Sequence, residues 1–307
     1  MVTNQLLHLA LLLLAPPLFL GVIQRVKALV AGRTGPPLLQ PYRDLARLLR
    51  KGAVYSRTTT WLFRAGPIVS LSAALCAGLL APLHAGLAPL GFPGDVIAFA
   101  SLLALARFAT LLAALDTGSS FEGMGASREA SFAALAEPAL FLGLAIVCIP
   151  AGAPSFGAAW AVLPWETWGA AHPAMLAAAG ALFLYLLAEN ARIPVDDPAT
   201  HLELTMIHEV AVLDHGSVDL AYVLYGSAVK LFIVGALLVH LILPVPADGG
   251  WAGVAVLLAG QLLLAILVGG VESSMARLRL PRVPQFLIGA SVLAVMGLVA
   301  LFYRGQP

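Results

Sequence analysis

Runs of about twenty mostly apolar residues recur along this 307-residue chain, and no other feature restricts its fold as much. Coiled as an α-helix at about 1.5 Å per residue, such a run matches the hydrocarbon thickness of a bilayer. Read with that window, the chain offers eight spans, at 4–24, 66–88, 94–115, 131–151, 172–189, 218–243, 250–270 and 284–303. Composition agrees, because 60% hydrophobic residues and a mean hydropathy of +0.93 leave too little polar surface to cover a soluble domain. The expectation is an all-α integral membrane protein, with eight transmembrane helices in one bundle over 1–307 and no soluble domain. Cytoplasmic loops fall at 25–65, 116–130, 190–217 and 271–283, with amphipathic helices in them.

Basic residues assign the sides. Nine Lys and Arg lie between Arg25 and Arg64, and the connections around Arg128, Arg192 and Arg277 to Arg282 carry more, whereas the connections near 84–94, 151–172 and 244–250 carry none. By the positive-inside rule both termini are outside and the long loops are cytoplasmic, which an even number of spans requires. The apolar run from Leu6 to Ile23 reads as a retained span, since Arg25 and Lys27 follow it, no basic residue precedes it and no small-residue cleavage pattern stands behind it. Cys76 and Cys148 sit in apolar runs and read as small hydrophobes, neither a disulfide nor a metal pair. A net charge of +1 gives no case for nucleic acid. Trp160, Trp165 and Trp168 in the outer connection read as interface anchors.

Within the first loop, Leu45, Leu48 and Leu49 recur at helical spacing with Arg43, Asp44, Arg47 and Arg50 on the remaining face. That pattern predicts a short helix lying in the membrane interface, an anchor and a docking platform for a cytoplasmic partner. The second loop, LDTGSSFEGMGASREA, is rich in glycine and serine but lacks the Lys-Ser/Thr ending of a P-loop, and a helical bundle has no strand to precede it. It reads as an internally bonded loop presenting Asp116 and Arg128 to a neighbour.

Charges inside the spans point to chemistry. Arg107, Glu137, Glu189, Lys230 and Glu272 fall in or at the ends of apolar runs, where a central charge costs about 3 kcal/mol unless it pairs, meets water or joins a proton relay. Snorkelling is the alternative for Lys230. Between Glu189 and Val210 lie five acids, Arg192 and two histidines. Pro194 and Pro198 forbid a continuous helix there, so the span breaks near Arg192 and a helix restarts around Ala199. His201, His208 and His215 follow at heptad spacing, the first two on one helical face. Four-residue spacing and nearby cysteines are missing, which argues against a metal site and for imidazoles hydrogen-bonded to Glu203, Glu209, Asp196 or Asp214 that can carry protons.

Four segments together, RTGPPLLQPYRDLARLLRK, LDTGSSFEGMGASREA followed by Glu137 and Pro138, ENARIPVDD, and VESSMARLR, resemble the formate hydrogenlyase subunit 4 and hydrogenase-4 component C family. That family is homologous to the core membrane subunit of respiratory complex I. The resemblance covers nearly the whole chain. It implies eight helices, an N-outside topology, and loops that contact the redox subunits. In complex I the connection after span five resembles E-T-N-R-A-P-F-D-L-P-E-A-E-A-E; here Glu189, Arg192, Pro194, Asp196, Pro198 and Glu203 match it, while Ala199 and His201 replace two of its clustered glutamates. That departure puts quinone chemistry in doubt.

The implied role is a non-catalytic membrane anchor and coupling subunit of a hydrogenase-like complex in the cytoplasmic membrane of a bacterium or archaeon, linking redox chemistry to proton or sodium translocation. Expected pathway residues are Glu137, Glu189, Asp196, His201, Glu203, His208, Lys230 and Glu272. Docking and loop structure fall to Arg33, Arg43, Asp44, Arg47, Asp116, Arg128, Glu129, Arg192 and Asp197. The chain is expected to hold no metal or cofactor, with a nickel-iron (NiFe) centre and iron-sulfur clusters in its partners. Those partners are hydrogenase-like large and small subunits, an iron-sulfur subunit and antiporter-like membrane subunits. A quinone-site subunit, a purely structural anchor and a stand-alone transporter remain the alternatives.

Overall fold

Lipid offers the backbone no hydrogen bonds, so an apolar chain must satisfy its own N–H and C=O groups within helices or a closed barrel. In the computed structural model it does so with helices. The structure describes residues 2–83, 88–162, 165–197, 206–243 and 251–304. In chain order the helices are α1 (Val2–Val30), α2 (Gln40–Leu49), α3 (Trp61–Leu80), α4 (Asp95–Asp116), α5 (Ser120–Cys148), α6 (Phe156–Val162), α7 (Trp165–Glu189), α8 (Ser217–Ile242), α9 (Trp251–Ser274) and α10 (Val283–Arg304). Seven stretches among the described residues are long and apolar enough to cross a membrane: Thr3–Val30, Trp61–Leu80, Asp95–Asp116, Ser120–Ala151, Ser217–Ile242, Trp251–Ser274 and Leu280–Tyr303. The expected span at 172–189 falls on a shorter apolar helix, Pro173–Glu189. The chain is thus a multi-pass, all-helical membrane protein.

α8 forms the centre. Every residue from Ala228 to Leu241 is buried, as expected of a helix that is apolar all round. Around it α3 packs on α4, α7 on α5 and α10, and α1 on α9. A Cβ on Gly66 would meet Ala113 Cβ at 2.6 Å and Ala109 O at 2.9 Å, so only glycine lets α3 approach α4 this closely.

Two details show how local chemistry shapes the bundle. Pro16 and Pro17 interrupt α1, and Pro17 cannot donate to Leu13 O. The Tyr225 hydroxyl of α8 donates to that carbonyl instead, at 2.8 Å, and the Tyr42 hydroxyl of α2 donates to the next one, Leu14 O. At the end of α7, Ala191 takes a positive φ of 49° and Arg192 N donates to Leu187 O at 2.8 Å, a left-handed stop of the kind that ends many helices.

Several boundaries differ from the expected ones. The glycine- and serine-rich run is mostly helix, because α5 begins at Ser120 and not near 131; Gly125 lets it lie against Val210 and Ala211, which a Cβ would meet at 2.4 and 2.8 Å. Residues 206–216 are not an α-helix but a turn with a short 3₁₀ segment at Glu209–Val212; Ala199, the expected restart and His201, the expected partner of His208 on one helical face, lie outside the described residues. Trp160 packs inward, its ring 5.5 Å from Phe156 and 6.3 Å from His240, which departs from an interface anchor. Cys148 is buried and Cys76 exposed, and neither is in a disulfide.

Candidate functional site

Two of the expected pathway residues, Glu137 and Glu189, meet on Arg107, which was not among them, and a third, Lys230, joins through Glu189. Arg107 of α4 donates through Nη1 to Glu137 Oε1 of α5 at 2.6 Å and through Nη2 to Glu189 Oε2 at the end of α7. Lys230 of α8 donates to the other oxygen of Glu189 at 3.1 Å. Four helices therefore each supply one charge, and the two cations balance the two carboxylates. Arg107, Glu189 and Lys230 are buried while the Glu137 side chain is 35% exposed, so one end of the quartet reaches the edge of the chain. Lys230 does not snorkel; its ammonium is enclosed with its partner.

An arginine gripping two carboxylates through separate nitrogens is a shared cation. Arginine keeps its charge in proteins, so a proton arriving on Glu189 would leave Arg107 to Glu137 and release Lys230. None of the quartet's oxygens has a backbone donor among the described residues, so its arrangement rests on side-chain pairing.

A second network lies at the C-terminal ends of α1, α7 and α9. Glu272 is buried and meets Lys27 at 2.6 Å and Arg192 at 3.4 Å. Asp196 accepts from Asp197 N at 2.9 Å and from Ile207 N and His208 N at 3.1 Å each, and pairs with Arg277 at 2.9 Å. Leu278 N donates to Pro194 O at 2.8 Å. Both expected pathway acids, Asp196 and Glu272, thus fasten the connection after α7 to neighbouring helices.

His208 Nδ1 lies 3.3 Å from Glu129 Oε1, an acid outside the four that the sequence suggested. Burial alone would lower the pKa of this imidazole, but the Glu129 carboxylate outweighs it and holds it above the ordinary histidine value. His215 instead stacks on Phe63, ring centroids 4.1 Å apart; its burial lowers its pKa against the pull of Asp219 and Asp214. His201 and Glu203 lie outside the described residues.

The docking set divides. Arg33, Arg43 and Arg47 are exposed, and Asp44 pairs with Arg47 one turn away. Asp116 turns inward and caps α3, accepting from Thr60 N at 2.7 Å and Phe63 N at 3.2 Å, which satisfies free donors at a helix start. Arg128 donates to Met206 O at 3.0 Å, Arg192 reaches Glu272, and Asp197 N bonds Asp196. These hold the chain's own loops. Among the described residues no three His, Cys, Asp or Glu side chains gather as metal ligands.

A cavity of about 40 Å³ touches both regions, lined by Arg107 and Glu189 of the quartet and by Glu129, Asp196 and His208. The apolar sequence around Arg107 hid its role as hub; a single arginine in a run otherwise free of charge was the available signal.

The chain matches the NADH dehydrogenase family model over residues 3–303. It is 33% identical over 236 residues to hydrogenase-4 component C of Escherichia coli (strain K12), covering 76% of this chain and 73% of that protein. It is 31% identical over 299 residues to formate hydrogenlyase subunit 4 of the same strain, covering 92% of this chain and 94% of the relative. In fold it is similar to a chain of the membrane-bound sulfane sulfur reductase, an archaeal respiratory membrane complex, with a TM-score of 0.85 at 22% identity over 98% of this chain and 99% of that one.

Proposed function

Because the chain belongs to the NADH dehydrogenase family, that of complex I subunit 1, we propose that it is the membrane anchor and coupling subunit of a hydrogenase-4 or formate hydrogenlyase type complex. In this reading α7 is the eighth span, both termini face outward, and the complex sits in the inner membrane. The exposed arginines of 25–65 and the connection after α7 receive the soluble subunits, which hold the NiFe centre and iron-sulfur clusters. Antiporter-like membrane subunits take over the ion.

The observation that carries the reading is the Arg107 quartet. A balanced, mostly buried set of charges on four helices costs several kcal/mol to desolvate, and buried ion pairs add little stability over apolar packing; ionisable residues inside a membrane bundle characteristically mark ion pathways and proton relays. The connection that ends α7 at Glu189 is the same one that the second network fastens at Asp196, so a movement of docked redox subunits would reach the quartet directly. A cavity of about 40 Å³ takes a few waters at ~10–15 Å³ each, and no quinone ring, which favours this reading over a quinone site.

The test is Glu189→Gln in the assembled complex within proteoliposomes. Ion translocation should fall to background while turnover with a protonophore persists. Unchanged translocation would leave only the structural anchor.

A further inference from the structure

Glu129 and His208 remain without a role in the quartet. Their pair is largely enclosed, with side chains 12% and 20% exposed, and it bridges α5 and the segment preceding the 3₁₀ turn. Both side chains line the same cavity as Arg107 and Glu189. At about 40 Å³ that cavity exceeds the ~10–15 Å³ one water needs, and its walls offer the polar partners that water requires. The pair and the quartet therefore communicate through space that water can fill.

Resting on the coupling reading above, the geometry points to the Glu129–His208 pair as the group that loads protons into the quartet, with a proton, not a sodium ion, as the species that crosses this cavity. A sodium ion entering the cavity meets the fixed charge of Arg107 and, paired with Glu189, that of Lys230. The oxygens it would need are engaged: Glu189 by those two cations, Asp196 by Arg277 and three backbone N–H groups, Glu129 by His208. A proton needs no such shell. The imidazolium of His208 gives a ring proton to water, the water gives one to a Glu189 carboxylate oxygen, and Glu189 releases Lys230. The now neutral imidazole takes up a proton from the cytoplasmic side while Glu129 stabilises its charged form. One proton moves per step, and no electron does.

The groups acting on His208 come from every side: Glu129 on α5, Arg107 on α4, Glu189 on α7, Lys230 on α8, and Asp196, which holds its backbone N–H and is itself held by Arg277. Arg128 fixes the chain at Met206, two residues earlier. The net effect keeps the imidazole above its ordinary pKa, which favours its charged, proton-donating form.

The experiment uses the complex purified with its own subunits, in proteoliposomes containing a trapped fluorescent pH indicator. Turnover is read separately, as oxidation of reduced methyl viologen with a protonophore present. In His208→Ala, proton movement per turnover should fall by about 100-fold, the lower end of what a positioned proton-transfer group supplies. Added imidazole should restore part of it, and Glu129→Gln should shift the pH profile of pumping to lower pH while viologen oxidation stays unchanged. Wild-type pumping in His208→Ala at all pH values, loss that imidazole does not restore, or sodium-dependent pumping that leaves the indicator silent would each overturn the proposal. If Glu189→Gln also pumps normally, the coupling reading fails; if Glu189→Gln is inactive and His208→Ala is normal, only the loading pair does.

Discussion

The quartet around Arg107 and the knot around Asp196 use the same residue types a short distance apart, and both contribute to the lining of one cavity. Their carboxylates are held differently. Among the described residues Glu189 and Glu137 pair with side-chain cations and with no backbone N–H, whereas Asp196 accepts three backbone N–H groups besides the Arg277 guanidinium. A carboxylate tied to the backbone stays in place whatever its charged neighbours do. One tied only to mobile cations can exchange them when its protonation changes. The knot therefore sets the geometry, and the quartet is free to respond.

The largest expected effect comes from removing the hub. Arg107→Met leaves two carboxylates for Lys230 alone, and loss of one partner from a buried pair costs about 3–5 kcal/mol; unfolding of the full chain in detergent should show it. A loss below about 1 kcal/mol, the range of a solvent-screened pair, would erase the contrast with the knot. Next, Asp196→Asn keeps the shape but removes the charge, for about 1.5–3 kcal/mol, and should speed hydrogen exchange at the Ile207 and His208 amides. Unaltered protection there would mean that Asp196 does not hold the loop.

A smaller effect separates the two histidines by the sign of their pH dependence. His208 has a raised pKa, so its contribution is full below about pH 6.5 and fades as pH rises through the folded value. His215 has a lowered pKa, so its contribution is full above about pH 6.5 and fades as pH falls through the folded value. Melting curves of His208→Gln and His215→Phe against the parent should therefore diverge at opposite ends of the pH range. Parallel curves would show that neither is perturbed as described. The smallest effect is that of Asp44→Ala, whose exposed pair with Arg47 should cost about 0.2–1 kcal/mol and nothing in high salt.

Much of this was readable in advance, for a simple reason. Spans are written in hydropathy, which is a property of consecutive residues, so the helices that became α4, α8 and α9 lie within a few residues of their expected positions. The break after Glu189 was readable because Pro194 forbids helix. The start of α5 was not, since glycine and serine at 118–127 speak for a loop until Gly125 finds Val210 and Ala211 to pack against. Glu129 read as a docking residue because nothing in the sequence sets it beside His208, with which it meets only in the folded chain.

By itself the sequence determined that the chain is a membrane bundle, where its helices run, and which charges stand in apolar surroundings, because each of these follows from local composition and spacing. Only the tertiary structure decided which charges meet. Arg107 joins Glu137 and Glu189 across three helices, and Asp196 becomes a fixed post because the backbone of residues 207 and 208 folds onto it. The energy of an ion pair depends on separation and surroundings, and neither is a property of position along the chain.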